Sequence, residues 1–169
     1  MTLQRAFAPV VGPTTRLLLL GSMPGAASLA AGAYYAHPRN LFWPFMADIV
    51  GFDPALPYAA RVRVLQQAGI GLWDVVARCE RHGSLDSAIV AASVEAADLP
   101  SLLATYSAIR TLLFNGARAE AEFQRFHPPG TIDPTLGLQR LPSTSPANAS
   151  QRPADKLAAW RTAVSTALE

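Results

Sequence analysis

Four consecutive leucines, Leu17, Leu18, Leu19 and Leu20, are the strongest constraint in this chain. An apolar run that short, followed at once by Gly21-Ser22-Met23-Pro24-Gly25, reads as a strand buried on both faces rather than a helix. Such a strand demands covering layers on either side, which is the situation of a parallel sheet between helices. The glycine- and proline-punctuated loop that leaves it is where open α/β sheets bind ligands.

The rest of the chain supplies the matching elements. Further strands are expected over 69–76, 109–114 and 138–141, after a first strand over 17–21. Phe42, Phe45, Met46, Ile49 and Val50 recur at helical spacing, with Pro44 tolerated in the first turn and Gly51 placed to stop the helix. Helices are also expected over 57–67, 118–126 and 154–167, with a short one capped by Asp98. Residues 1–16 read as an irregular lead-in that packs Phe7 and Val10 onto the domain, and 78–94 is ambiguous between turns and regular structure. Strands alternating with helices predict an α/β fold, a three-layer α/β/α sandwich around a central, largely parallel four-stranded sheet. The loops after its strands then gather along one sheet edge. Those loops carry the 21–25 turn, Asp74, Asn115 and the polar cluster 143–148.

Length and composition narrow the class. At 169 residues and 18.0 kDa the chain suits a single domain spanning 1–169, and with half its residues hydrophobic and 15% charged it is suited to folding around a packed core. The net charge of +2 and pI near 9.0 are compatible with a polyanionic partner without demanding one. Cys79 is the only cysteine, which excludes an intramolecular disulfide and a cysteine-based zinc site. No stretch approaches the ~20 apolar residues of a membrane span. The first residues lack a secretory pattern, so a cytoplasmic location is expected. Lys156 is the only lysine, and it sits on the last helix, far in sequence from the motif loops. His82 and His127 lie in charged, turn-like surroundings and are expected at the surface, and three separated histidines without paired carboxylates argue against a metal site.

The motif residues resemble those of a known family. Gly21-Ser22-Met23-Pro24-Gly25 with Ala36-His37-Pro38-Arg39-Asn40-Leu41-Phe42-Trp43 resembles the first motif of the uracil-DNA glycosylase superfamily. Leu113-Phe114-Asn115-Gly116 is similar to the third-strand motif of its mismatch-specific uracil/thymine branch, and Leu141-Pro142-Ser143-Thr144-Ser145-Pro146 to the loop that enters DNA beside the extruded base. The three lie in the right order. Met23 stands where that branch has a water-positioning asparagine, and a thioether cannot do that work. The Met-Pro-Gly turn followed by Tyr34-Tyr35 and His37 to Asn40 is similar to the hypoxanthine-DNA glycosylase family of the superfamily.

That resemblance implies a monofunctional, cofactor-free and metal-free enzyme, monomeric, acting on DNA that contains a deaminated base. It implies that Asn40 is the catalytic residue, holding the attacking water. It places Gly21, Ser22, Met23, Tyr35 and Asn115 against the base, with Tyr35 stacking on it and Asn115 pairing with its edge. It places His37, Ser143, Thr144, Ser145 and Pro146 against the DNA backbone. Taken alone, the 143–148 cluster is also an ordinary helix-capping turn and Asn115-Gly116 an ordinary turn after a strand. His37 is equally at home as a structural residue, and Asp74 and Asp86 are candidates for a general base or for caps and ion pairs. The alternatives to hypoxanthine removal are removal of uracil and a non-catalytic DNA-damage-binding domain.

Overall fold

In the computed structural model, which describes residues 2–169, the leucine run lies at the centre of the molecule. The strands are β1 (Thr2–Arg5), β2 (Leu17–Gly21), β3 (Ile70–Asp74), β4 (Val76–Arg81), β5 (Glu95–Ala96), β6 (Thr111–Asn115) and β7 (Gly137–Leu141). The helices are α1 (Ala26–Ala31), α2 (Phe42–Met46), α3 (Tyr58–Gln67), α4 (Leu99–Thr105), α5 (Ala117–Phe126) and α6 (Pro153–Ala167). Met1, part of the expected lead-in and domain span, lies outside the described residues.

Four strands form one parallel sheet in the order β3-β2-β6-β7. Each leucine of β2 is fully buried, and alternate ones serve opposite cores. Leu17 and Leu19 pack with Phe42, Trp43, Phe45, Met46 and Trp160 under α2, α3 and α6. Leu18 and Leu20 pack with Leu99, Phe114, Ala119 and Phe123 under α4 and α5. This is why the run is continuous instead of alternating: both faces need apolar side chains. The expected three-layer arrangement around a parallel sheet is present.

Several local expectations are met. Asp98 caps α4, its carboxylate accepting from the Ser101 N–H and hydroxyl at 3.2 and 2.8 Å. Helix α2 runs on as a π-helical segment, Ala47–Gly51, and stops where expected. Within the glycine- and proline-punctuated loop that leaves β2, the chain makes the short helix α1.

A second sheet, β1-β4-β5, is antiparallel and was not expected. The 69–76 stretch is therefore not one strand. It breaks at Val75, whose N–H donates to the Gly21 carbonyl at 2.8 Å, while Val76 donates to Ser22 at 3.1 Å. The chain thus crosses the end of β2 and enters the second sheet. Likewise the lead-in is not irregular throughout, because β1 pairs with β4. The alternation of β4 is hard to read because a charged residue takes an inward place: Arg81 is fully buried. Its guanidinium donates to the Gln4 amide oxygen at 2.8 Å and to the carbonyls of Ser84 and Pro24. Beneath this sheet lies a third small core of Met23, Val76, Cys79, Ile89 and Val94. No helix among the described residues is long and apolar enough to cross a membrane.

Two leucines on the same sheet predict very different costs on truncation. Leu19→Ala should lower unfolding free energy by about 2–5 kcal/mol, because its site is closed on every side. Leu138 is 52% exposed, so Leu138→Ala should stay within about 1 kcal/mol of the parent. Urea titration of both variants measures the difference.

Candidate active site

The carboxyl ends of the parallel strands meet at a cavity of about 690 Å³. Gly21, Asp74 and Asn115 enter it from the ends of β2, β3 and β6, and the loop after β7 closes its far side. The convergence expected from topology is therefore realised. The strand register itself pairs Gly21 with Asp74 and Asn115 with Leu141.

The floor is made by Gly21, Asp74 and Tyr35. A Cβ at position 21 would stand 2.5 Å from Asp74 Oδ1 and 3.2 Å from the Tyr35 hydroxyl, so the bare α-carbon is what lets both groups approach. Asp74 is 3% exposed, and its Oδ2 has no hydrogen-bond partner. Burial pushes its carboxyl up to about 7, the nearby Asp86 adds to the rise, and Arg81 opposes it. The Tyr35 hydroxyl is also buried without a partner, and burial together with Asp74 raises its pKa. Tyr35 is the one non-glycine residue with positive φ among the described residues, at +56°, a conformation that costs on the order of 1–3 kcal/mol and persists where the surroundings enforce it. One face of its ring stacks on Phe42 at 4.0 Å. Tyr34, by contrast, belongs to the core: its hydroxyl donates to the Ala8 carbonyl at 3.0 Å, and its own carbonyl accepts from the Trp43 indole at 2.9 Å.

On one side the motif turn is fastened to the second sheet. The Ser22 hydroxyl donates to Asp86 Oδ1 at 2.7 Å, and the Ala26 N–H donates to the Ser84 hydroxyl at the same distance. Met23 lines the cavity, yet it is 7% exposed and counts in the third core. Asn40 lies one residue before the N-cap Leu41 and satisfies the first N–H of α2, its Oδ1 accepting from the Phe42 N–H at 2.9 Å, and its Nδ2 donates to none of the described residues. His37 is exposed at the cavity rim, where its Nδ1 accepts from the Arg39 N–H at 3.1 Å.

On the opposite side Asn115 and Thr144 bond reciprocally. The Asn115 Nδ2 donates to the Thr144 hydroxyl at 2.9 Å, and the Thr144 N–H donates to Asn115 Oδ1 at 3.0 Å. The amide keeps one N–H and one lone pair for a ligand. Thr144 is 1% exposed, and its carbonyl accepts from the Leu41 N–H at 3.0 Å, so it clamps the loop from the inside while still bordering the cavity. Ser143, Ser145 and Pro146 are half-buried around it, with the hydroxyls of Ser143 and Ser145 accepting from the N–H groups of Ser145 and Ala147. Gly116 has φ +97°, and a side chain there would press on Ser143 at 3.1 Å.

Two expectations about titratable residues change. Lys156, in the first turns of the helix that follows this loop, lies beneath it: it is 2% exposed, and its ammonium donates to the carbonyls of Ser143 and Asn148 at 2.8 and 2.5 Å. Burial lowers its pKa. His127 is not a surface residue, since its Nε2 is buried without a partner and burial depresses its pKa, whereas His82 is exposed as expected. Among the described residues no group of three or more His, Cys, Asp or Glu could hold a metal ion. Neither clamp has a signature in the local sequence: the Thr144 clamp needs Asn115 from another strand, and the Lys156 clamp needs the 143–148 loop to fold back over the helix that follows it.

Comparison with known proteins identifies the family. The family model described as the uracil DNA glycosylase superfamily matches residues 8–168. The chain is 33% identical over 117 residues to the hypoxanthine DNA glycosylase of Methanosarcina barkeri, covering 69% of this chain and 73% of that one. It is 32% identical over 152 residues to the hypoxanthine DNA glycosylase of Methanosarcina acetivorans, covering 86% of this chain and 89% of the relative. The solution NMR structure of a candidate uracil DNA glycosylase from M. acetivorans superimposes with a TM-score of 0.76 at 30% identity, over 95% of this chain and 98% of that one. The strand-end loops around the Gly21 and Asp74 floor are thus set in a chain that belongs to the uracil DNA glycosylase superfamily.

Proposed function

We propose that this chain is a monofunctional DNA glycosylase of base-excision repair that hydrolyses the N-glycosidic bond of a flipped hypoxanthine and leaves an abasic site. The observation that carries the reading is the cavity itself, deep enough for one extruded base and floored by backbone and polar groups at the strand ends. Two relatives matched over most of their length are hypoxanthine DNA glycosylases, which favours hypoxanthine over uracil.

In this reading the base stacks on the ring face of Tyr35 opposite Phe42, and Gly21, Ser22 and Met23 supply the backbone that it approaches. Asn115 reads the base edge with the N–H and lone pair that Thr144 leaves over. Asn40, with its carbonyl committed to the helix cap, presents Nδ2 as a fixed donor that holds the attacking water. His37, Ser143, Ser145 and Pro146 flank the opening and meet the backbone on either side of the flipped nucleotide. The domain acts as a monomer on one lesion, and Lys156, whose ammonium is bonded to two carbonyls, has no part in Schiff-base chemistry.

Single-turnover release from duplexes that differ only in deoxyinosine or deoxyuridine tests the substrate. Hypoxanthine should be released faster, and a preference for uracil overturns that choice. Asn40→Asp keeps an oxygen for the α2 cap and removes the amide donor, so it should lower release by about 100-fold or more while the melting temperature changes little. Borohydride added during turnover should trap no covalent protein–DNA species. A trapped species would show an amine in the chemistry.

A further inference from the structure

Hydrolysis of a glycosidic bond transfers a water oxygen to the sugar and leaves a proton to be held until the base departs. An amide such as Asn40 cannot accept it, and Met23 offers only a thioether. Two carboxylates line the cavity, Asp74 and Asp86. Asp86 is exposed, and its Oδ1 already accepts from the Ser22 hydroxyl. Asp74 is different: it is buried on the cavity floor with Oδ2 unpartnered, beside a second unpartnered buried group, the Tyr35 hydroxyl. Both approach the bare α-carbon of Gly21, and Tyr35 is held there in a left-handed backbone conformation. Two orphaned polar atoms and one strained backbone at a single spot, in a fold that satisfies its other buried side chains almost throughout, leave the carboxylate that lines this cavity without a protein group to neutralise it.

We propose that Asp74 is a catalytic residue of this glycosylase, the base whose carboxylate takes the proton of the attacking water, with the Tyr35 hydroxyl packed close by at Gly21. The proposal rests on the base-excision reading above. As the water oxygen bonds to C1′, one water proton passes to Asp74, and the C1′–N9 bond breaks with its electron pair going to the purine. Asp74 then returns the proton to a purine nitrogen, so that neutral hypoxanthine and an abasic sugar leave and the carboxylate is restored. The groups facing Asp74 are Arg81 from β4, Asp86 from the turn after it, and Tyr34 and Tyr35, whose raised pKa values keep them neutral phenols. Burial and Asp86 outweigh Arg81 and hold the carboxyl up to about 7, where a general base is most useful. Since the base must be ionised, the rate should climb with pH through that value and level off above it.

The test is the pH profile of single-turnover release from deoxyinosine duplex by the full chain. The parent should show an ascending limb with its midpoint near 7. Asp74→Asn should lose about 100-fold or more and become insensitive to pH across that limb, while binding the duplex within about 3-fold of the parent and melting no lower. His37→Ala should keep the limb whatever its amplitude, which separates Asp74 from the histidine at the rim. Release by Asp74→Asn at the parental rate, or a lowered rate with the limb intact, overturns the assignment and leaves the glycosylase reading standing. A parent that releases no base from any lesion overturns both.

Discussion

A strand that must be apolar on both faces cannot slip. Moving β2 by one residue would exchange the sets that Leu17 and Leu19, and Leu18 and Leu20, present to two different cores. Its register against β3 is therefore fixed, and Gly21 is delivered opposite Asp74 at the sheet edge. The floor of the cavity inherits its geometry from this packing. Only Tyr35, held at φ +56° in the loop before α2, has to be added by a loop.

The two flanks of the cavity are secured in the same physical way from opposite directions. Arg81 reaches from the second sheet to the carbonyls of Pro24 and Ser84, and Lys156 reaches from α6 to those of Ser143 and Asn148. Both cations are buried and bonded to neutral oxygens; among the described residues neither forms an ion pair with a carboxylate. Charge-assisted hydrogen bonds of this kind are stronger than neutral ones, so they give order to loops that have little core of their own. They also leave positive charge beneath the rims of an opening suited to a polyanion.

What the sequence made legible follows from which interactions are local. The parallel strands, the α4 cap at Asp98 and the end of α2 at Gly51 are written in runs, periods and turn residues within a few positions of one another. The meeting of Gly21, Asp74, Asn115 and the 143–148 loop follows from topology, and it was expected for that reason. The second sheet was illegible because Arg81 occupies an inward position of β4 and breaks the alternation that would have announced it. The Thr144 clamp and the half-buried His127 depend on three-dimensional neighbours with no local signature. Asp74 could be named from the sequence, but its close approach to Gly21 and Tyr35 could not, since that depends on the fold that brings the three together.

The buried carboxyl at Asp74 sets a conflict between the fold and its chemistry. In the unfolded chain this group has its ordinary pKa of 3.8, and in the folded protein about 7. The native state therefore binds the proton more tightly, and its stability falls as pH rises from one value to the other, with the whole penalty present above the upper one. An uncharged side chain of the same shape would relieve it. The ionised floor of this cavity is thus a point of stability–activity trade-off: substitutions selected for heat resistance alone would be drawn to position 74, and would silence the site as they strengthened the fold.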